Sequence, residues 1–181
     1  MSQTLAPTNP AATARWVETL RDGSQVLIRP MHADDASAER AFIRALSSES
    51  RRMRFLGQIG VPSDATIERL THVDVATEAA FVAKPVGGED GPIVGVARFG
   101  MDRSNVRCEC AVVVDDHWQH RGLGTRLMQH LIDVARQRGV RAMYSIDAAE
   151  NQPMAELARY LGFTRRSDPD DRSQVIHELA L

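Results

Sequence analysis

The hydrophobic and polar positions alternate first between Trp16 and Pro30, where the pattern predicts strand, turn and strand, with Asp22-Gly23 at the turn. The stretch HADDASAERAFIRALSSES then changes to helical spacing. Asp34 or Asp35 is placed to cap it, and Ala38, Ala41, Phe42, Ala45 and Leu46 form its apolar stripe. SRRMRFLG adds a short helical turn, Ser63 caps a helix running to about Leu70, and Thr71 to Thr77 reads as loop. Ala79 to Ala83, Ile93 to Phe99 and Arg107 to Val114 read as strands, the first two joined by the turn-rich KPVGGEDGP. A longer helix runs from Gly122 to about Arg138, with Leu123, Leu127, Leu131 and Val134 on one face and Gly139 as its stop. Val140 to Ile146 is again strand-like. Asn151 caps a helix to Leu161 that tolerates Pro153 in its first turn. Phe163 onward and Val175 to Leu181 close the sheet. Helices and strands intermix, with adjacent strands in the middle of the chain, so the expected fold class is α/β (α+β): a mixed, mainly antiparallel sheet flanked by helices.

Composition narrows the function classes. With 181 residues the chain can bury one real core, and a net charge of −2 points neither to nucleic acid nor to an anionic membrane surface. No apolar run approaches a membrane span. Residues 1–15, rich in Ala, Pro and Thr, read as a flexible tail without the features of a signal peptide, and residues 16–181 as a single domain. Cys108 and Cys110 are too close in sequence to suggest a disulfide or a zinc site, so a cytoplasmic location is expected. Lys84 is the only lysine among 22 basic residues.

Chemistry enters where the strand ending at Val114 hands over to the longer helix. Gly122 and Gly124 open that helix, although each glycine costs up to about 1 kcal/mol there relative to alanine. The first N–H groups of a helix have no internal partner and can bind phosphate oxygens, and glycines let a phosphate approach them. Arg121 and Arg126 add positive charge. A tight turn with a frayed start is the alternative that glycine spacing alone leaves open. A phosphate loop would need a lysine after the glycine, and a dinucleotide fingerprint would need three glycines; neither is here.

Around this turn, Asp115 and Asp116 are expected to brace it and Trp118 to anchor it. His117 and His120 lack a third metal ligand in view, so no metal is expected. His130 reads as a surface residue of the helix. Glu109 is a lone glutamate in an otherwise apolar strand, costly to bury unless it is paired, with Arg107 or a neighbouring arginine, or used as a base. By alternation it points away from Cys108 and Cys110, which therefore read as core.

These residues carry a resemblance. Gln119-x-x-Gly122-x-Gly124 matches the acyl-CoA pyrophosphate signature of the GCN5-related N-acetyltransferase (GNAT) family, and ENQPMAELARYLGF matches its later asparagine-plus-LGF segment. LRDGSQVLIRP, LSSESRRMRF, GVARF and CECAVVVDDHWQHRGLG look like the acetyltransferase domain of bacterial protein-lysine acetyltransferases, so the likeness runs from about Leu20 to Leu181. It implies acetyl-CoA as cosubstrate and a GNAT fold. It implies that Val112, Val113 and Val114 lie along the pantetheine arm. Gln119, His120, Arg121, Gly122, Leu123, Gly124 and Thr125 would hold the pyrophosphate, and Asn151 would lie near the pantetheine or thioester end.

Glu109 would then be the general base, which a lysine acceptor needs because an amine of pKa about 10.4 is almost wholly protonated at neutral pH. The implied acceptor is an amine, a protein lysine in the first place, with acyl-CoA synthetases as the suggested substrate class. A small amine (polyamine, amino acid or aminoglycoside) and a non-catalytic acyl-CoA-binding regulatory domain are the alternatives. An oligomer is compatible with the sequence. One position departs from the family: Ala158 stands where many relatives carry a tyrosine that protonates the departing thiolate. Tyr160 is roughly 200° away around the helix, which leaves water as the proton source.

Overall fold

Asp22-Gly23 reverses the chain through a glycine at φ +83°, and β1 (Trp16–Thr19) lies antiparallel to β2 (Gln25–Pro30). The computed structural model describes residues 14–57, 62–87 and 91–181; the expected tail, but for Ala14 and Arg15, falls outside them, as do residues 88–90 of the turn-rich connection. The chain continues through α1 (Ala36–Ala45), α2 (Ser48–Phe55), α3 (Asp64–Thr71), β3 (Glu78–Pro85), β4 (Gly95–Met101) and β5 (Arg107–Val114). Then come α4 (Leu123–Gln137), β6 (Ala142–Ala148), α5 (Gln152–Tyr160), β7 (Thr164–Ser167) and β8 (Gln174–Ala180). The described strands form one eight-stranded sheet in the order β1-β2-β3-β4-β5-β6-β8-β7. Every pairing is antiparallel except β5 with β6, where α4 supplies the crossover a parallel pair requires. The mixed, mainly antiparallel sheet is thus the expected one.

Three local expectations are corrected. The first helix does not run through LSSES: Leu46 adopts an extended ψ of 141°, and Ser47 starts a new helix by accepting the Ser50 N–H at 3.1 Å. A serine that can cap interrupts helical spacing here. The buried face of α1 is Glu39, Phe42 and Ile43, with Leu46 beyond its end, while Ala41 and Ala45 are exposed. Nor does the Asp35 side chain cap α1. It turns inward to a two-pronged contact with Arg29 at 2.7 Å and lies 3.7 Å from the buried Lys84.

The core has two layers. On one face of the sheet α4 buries Leu123, Leu127, Met128 and Leu131 against Phe81, Phe99, Cys108 and Met143, and α5 adds Ala158. On the other, Phe42, Ile43 and Leu46 join Ile67 and Leu70 of α3 over Val82 and Val96. Each fully buried leucine contributes about 1.5–3 kcal/mol of hydrophobic stabilisation. His130 is not a surface residue: its ring stacks on Trp16 at 4.1 Å and its Nε2 meets Glu18 Oε1 at 2.8 Å. No helix among the described residues is long and apolar enough to cross a membrane.

Candidate active site

β5 is paired with β4 from Cys108 to Val114, but with β6 only at Arg107, Cys108 and Glu109. Beyond that point β6 follows β8 instead, and a wedge opens between two strands of the same sheet. Hydrogen bonds at both ends of the β4–β5 ladder set its phase: Asp115 N–H to Val94 O and Asp102 N–H to Arg107 O, both 2.9 Å. Odd-numbered residues of β5 therefore exchange with β4, and the backbone groups of Val112 and Val114 face the wedge. Val114 O accepts the Gln119 Nε2 amide from that side at 3.2 Å. Val113 differs from its neighbours: its backbone is committed to β4, and its side chain packs in the α1–α3 layer.

The glycine turn closes one end of the wedge. Asp115 accepts the His117 N–H at 2.9 Å, His120 reaches φ +61°, and Gly122 caps α4 at φ +90° with no side-chain cap hydrogen bond among the described residues. A Cβ on Gly122 would be strained by that φ and would sit 3.4 Å from Arg21 Nε. A Cβ on Gly124 would touch Leu157 at 3.4 Å and Val114 at 3.7 Å, so this glycine lets α4 approach α5 and β5 closely. The start of α4 thus carries no side-chain cap. Its expected arginines are not aimed there. Arg121 binds Asp22 at 2.7 Å and lies over the Trp118 ring, and Arg126 is 3.4 Å from Glu18. The Arg21 side chain lies against Gly122 instead, carried there because its N–H bonds to Arg121 O at 3.0 Å. That contact joins a turn and a loop a hundred residues apart, and nothing local in the sequence signals it.

A cavity of about 980 Å³ runs from this turn along the wedge, at the upper end of the roughly 300–1,000 Å³ common for small-molecule sites. Glu109, the three valines, Asn151 and the turn from Gln119 to Thr125 all line it, with the single exception of Arg121. Asn151 caps α5 through Oδ1, which accepts the Met154 N–H at 3.1 Å, so its amide nitrogen stays available. Helix α2 bridges the opening. Asp116 receives the Ser47 N–H at 2.9 Å and the Ser47 and Ser50 hydroxyls at 2.8 and 2.7 Å, while Arg52 reaches Glu150 at 2.8 Å. Burial pushes the Asp116 carboxyl up, but those donors outweigh it and hold it below its ordinary value. Bracing is therefore the part both aspartates play.

Glu109 stands at the apex of the wedge, the last β5 residue paired on both sides. It is exposed towards the cavity, so the expected cost of burying it does not arise. Nor is it paired with Arg107, which turns to Glu178 at 3.0 Å and lies over Tyr144. Cys108 and Cys110 point the other way into the core. Burial raises the Cys108 thiol to about 12 and that of Cys110 well above its ordinary value, which removes both as nucleophiles at neutral pH. Ala158 is buried, and Tyr160 is 67% exposed.

Sequence reasoning missed two further cavity residues. Arg54 of α2 has its pKa lowered to about 10, by burial first and by Arg98 next, against the opposing pull of Glu39, Asp147 and Glu109. Asp147 of β6 also lines the wall. Among the described residues no group of three metal-binding side chains is found.

The comparisons agree with this geometry. The family model described as the acetyltransferase (GNAT) family matches residues 48–163. An acetyltransferase of Pseudomonas aeruginosa, PA5475, is 48% identical over 92% of this chain and 89% of its own length. The acetyltransferase Pat of Mycolicibacterium smegmatis is 31% identical over 79% of this chain, which spans only 42% of that protein. An L-amino acid N-acyltransferase of Escherichia coli, MnaT, is 37% identical over 56% of this chain and 62% of its own length. Among solved structures, the GNAT domain of S. lividans PAT superposes with a TM-score of 0.83 at 26% identity, covering 92% of this chain and 97% of that one. A strand fork, an uncapped helix start behind it and these matches lead to one assignment: the chain belongs to the GNAT family of acetyl-CoA-dependent acetyltransferases.

Proposed function

We propose that the chain transfers the acetyl group of acetyl-CoA directly to the side-chain amine of a protein lysine, with Glu109 as general base. The observation that carries this reading is the position of Glu109 at the apex of the fork, exposed to the cavity and without an ion pair in contact distance among the described residues. The open N–H groups of Leu123, Gly124 and Thr125 would take the diphosphate, with Arg21 beside them. The backbone edge of Val112 and Val114 would pair with the amides of the pantetheine arm, directing the thioester towards Glu109. Acetyl-CoA supplies the activated acyl group. Glu109 takes a proton from the acceptor ammonium, directly or through water, so that neutral nitrogen can attack. With Ala158 at the position a tyrosine would need, water returns a proton to the departing thiolate.

The protein-lysine acceptor is supported by likeness to the PAT domain over nearly the whole chain. A second reading, a carboxylate-bearing small amine, has its own observation. The Arg54 guanidinium lines the cavity over the Phe55 ring with no hydrogen bond or ion pair among the described residues. Thiol release measured with purified acyl-CoA synthetases and with an amino acid and polyamine panel, followed by mass spectrometry for acetyl-lysine, decides between them. Turnover of free amino acids with no protein acetyl-lysine would overturn the first reading.

A further inference from the structure

Helix α5 lines the cavity with Pro153, Leu157 and Tyr160, which follow one another at i, i+4 and i+7 and so share one side of the helix. Leu157 fixes what that side faces: its side chain is what a Cβ on Gly124, at the start of α4, would meet at 3.4 Å. Tyr160 stands one turn further on and is 67% exposed. Among the described residues its ring has no aromatic or cationic partner and its hydroxyl no hydrogen bond. Ala158, on the opposite side of the helix, is the residue that α5 buries there. A lone exposed aromatic on a surface is ordinary; this one stands in the wall of a cavity.

The sheet separates the two ends of that cavity. Cys108 and Cys110 belong to the layer under α4, so Glu109 between them points to the other face, the one on which Val113 packs in the α1–α3 layer. α5 lies on the α4 face, where Leu157 and Ala158 join the same layer as the cysteines. Coenzyme A is linear: thiol, pantetheine arm, diphosphate, then adenosine 3′-phosphate. With its acyl end carried through the fork to Glu109 and its diphosphate at the start of α4, its nucleoside is left on the α4–α5 face, beyond the diphosphate. The ligand group on that side is a flat purine, and the side chain waiting there is an aromatic ring without a partner among the described residues.

We propose that Tyr160 is a cosubstrate-binding residue, whose ring stacks on the adenine of acetyl-CoA at the outer end of the cavity. Such a stack needs the ring and not the hydroxyl, and it adds affinity without touching the reacting atoms. The inference rests on the reading of the α4 start as the diphosphate site. Gly124→Glu decides that reading through the binding of CoA as a whole, whereas Tyr160 is tested by comparing fragments of CoA.

Dissociation constants are measured by calorimetry for CoA, for dephospho-CoA and for 4′-phosphopantetheine, which keeps the arm and one phosphate but lacks the nucleoside. Tyr160→Ala, a surface substitution with little effect on the fold, should weaken CoA and dephospho-CoA by the same factor, at least about fivefold, the low end for base–aromatic stacking. The affinity for 4′-phosphopantetheine should stay within about twofold, and Tyr160→Phe should restore most of the loss. A second measurement needs no alanine variant. Tyr144 and Tyr160 are the two tyrosines of the chain, so 3-fluorotyrosine labelling gives a fluorine NMR signal for each, and Tyr160→Phe identifies which is which. CoA and adenosine 3′,5′-bisphosphate should shift the Tyr160 signal, and 4′-phosphopantetheine should leave it in place. Unchanged CoA affinity in Tyr160→Ala, a loss shared equally by 4′-phosphopantetheine, or a Tyr160 signal unmoved by saturating CoA would each overturn the proposal.

Discussion

At the scale of single residues, Glu109 was legible for a reason that turned out to be only half right. It stands out as one carboxylate in an apolar strand, and alternation correctly separates it from the two cysteines; but it is exposed, so the cost of burial was not the signal. Glu109→Gln is expected to keep CoA binding and lower kcat near neutral pH by about 10²–10⁴-fold, the usual range for a lost acid–base group, in a thiol-release assay. Wild-type rates from pH 6 to 8 would remove Glu109 from that role. Gly124→Glu should abolish CoA binding in calorimetry, because even its Cβ touches Leu157 and Val114 and the carboxylate adds like charge at the anion site.

Another residue-scale effect lies outside the reaction. Burial raises the Glu39 carboxyl from its ordinary 4.5 to about 7, against the pull of Arg98 and Arg54. The folded chain therefore binds more protons than the unfolded chain between those values, and stability falls as pH rises through that window. Glu39→Gln should flatten this fall, by up to about 3 kcal/mol at pH 8, as read from denaturant midpoints at pH 5 and pH 8. Arg21 and Asp147 could not be found this way, since what matters about them is contacts made across long stretches of chain.

At the scale of elements, the long helix and its glycine stop, the strand of Arg107 to Val114 and the Asn151-capped helix fall where periodicity puts them. Helical spacing failed at Leu46, where the run of serines continues the polar pattern of a helix while Ser47 acts as a cap for the next one. That one break creates α2, which Asp116 then holds over the cavity. Asp116→Ala should therefore loosen α2 more than it destabilises the chain, seen as faster proteolysis between Leu46 and Gly57 with only a small change in Tm. Leu131→Ala, wholly buried on α4, should by contrast cost about 2–5 kcal/mol in global unfolding.

At the scale of the whole molecule, the class of sheet follows from the mixture of elements, but the fork does not. Which strands pair, and for how many residues, depends on the crossover through α4 and on β8 drawing β6 away. No periodicity in either strand records that divergence. The fork also implies a physical state for the sheet before its cosubstrate arrives. Val112 and Val114 hold main-chain groups that the protein's own strands leave unsatisfied, while Val113 between them is bonded to β4. The coenzyme would act as a temporary extra strand, and the seam would zip only when loaded. Deuterium uptake should report this as an every-other-residue pattern: rapid at positions 112 and 114 in the free enzyme, slowed there by CoA, and slow at 113 throughout.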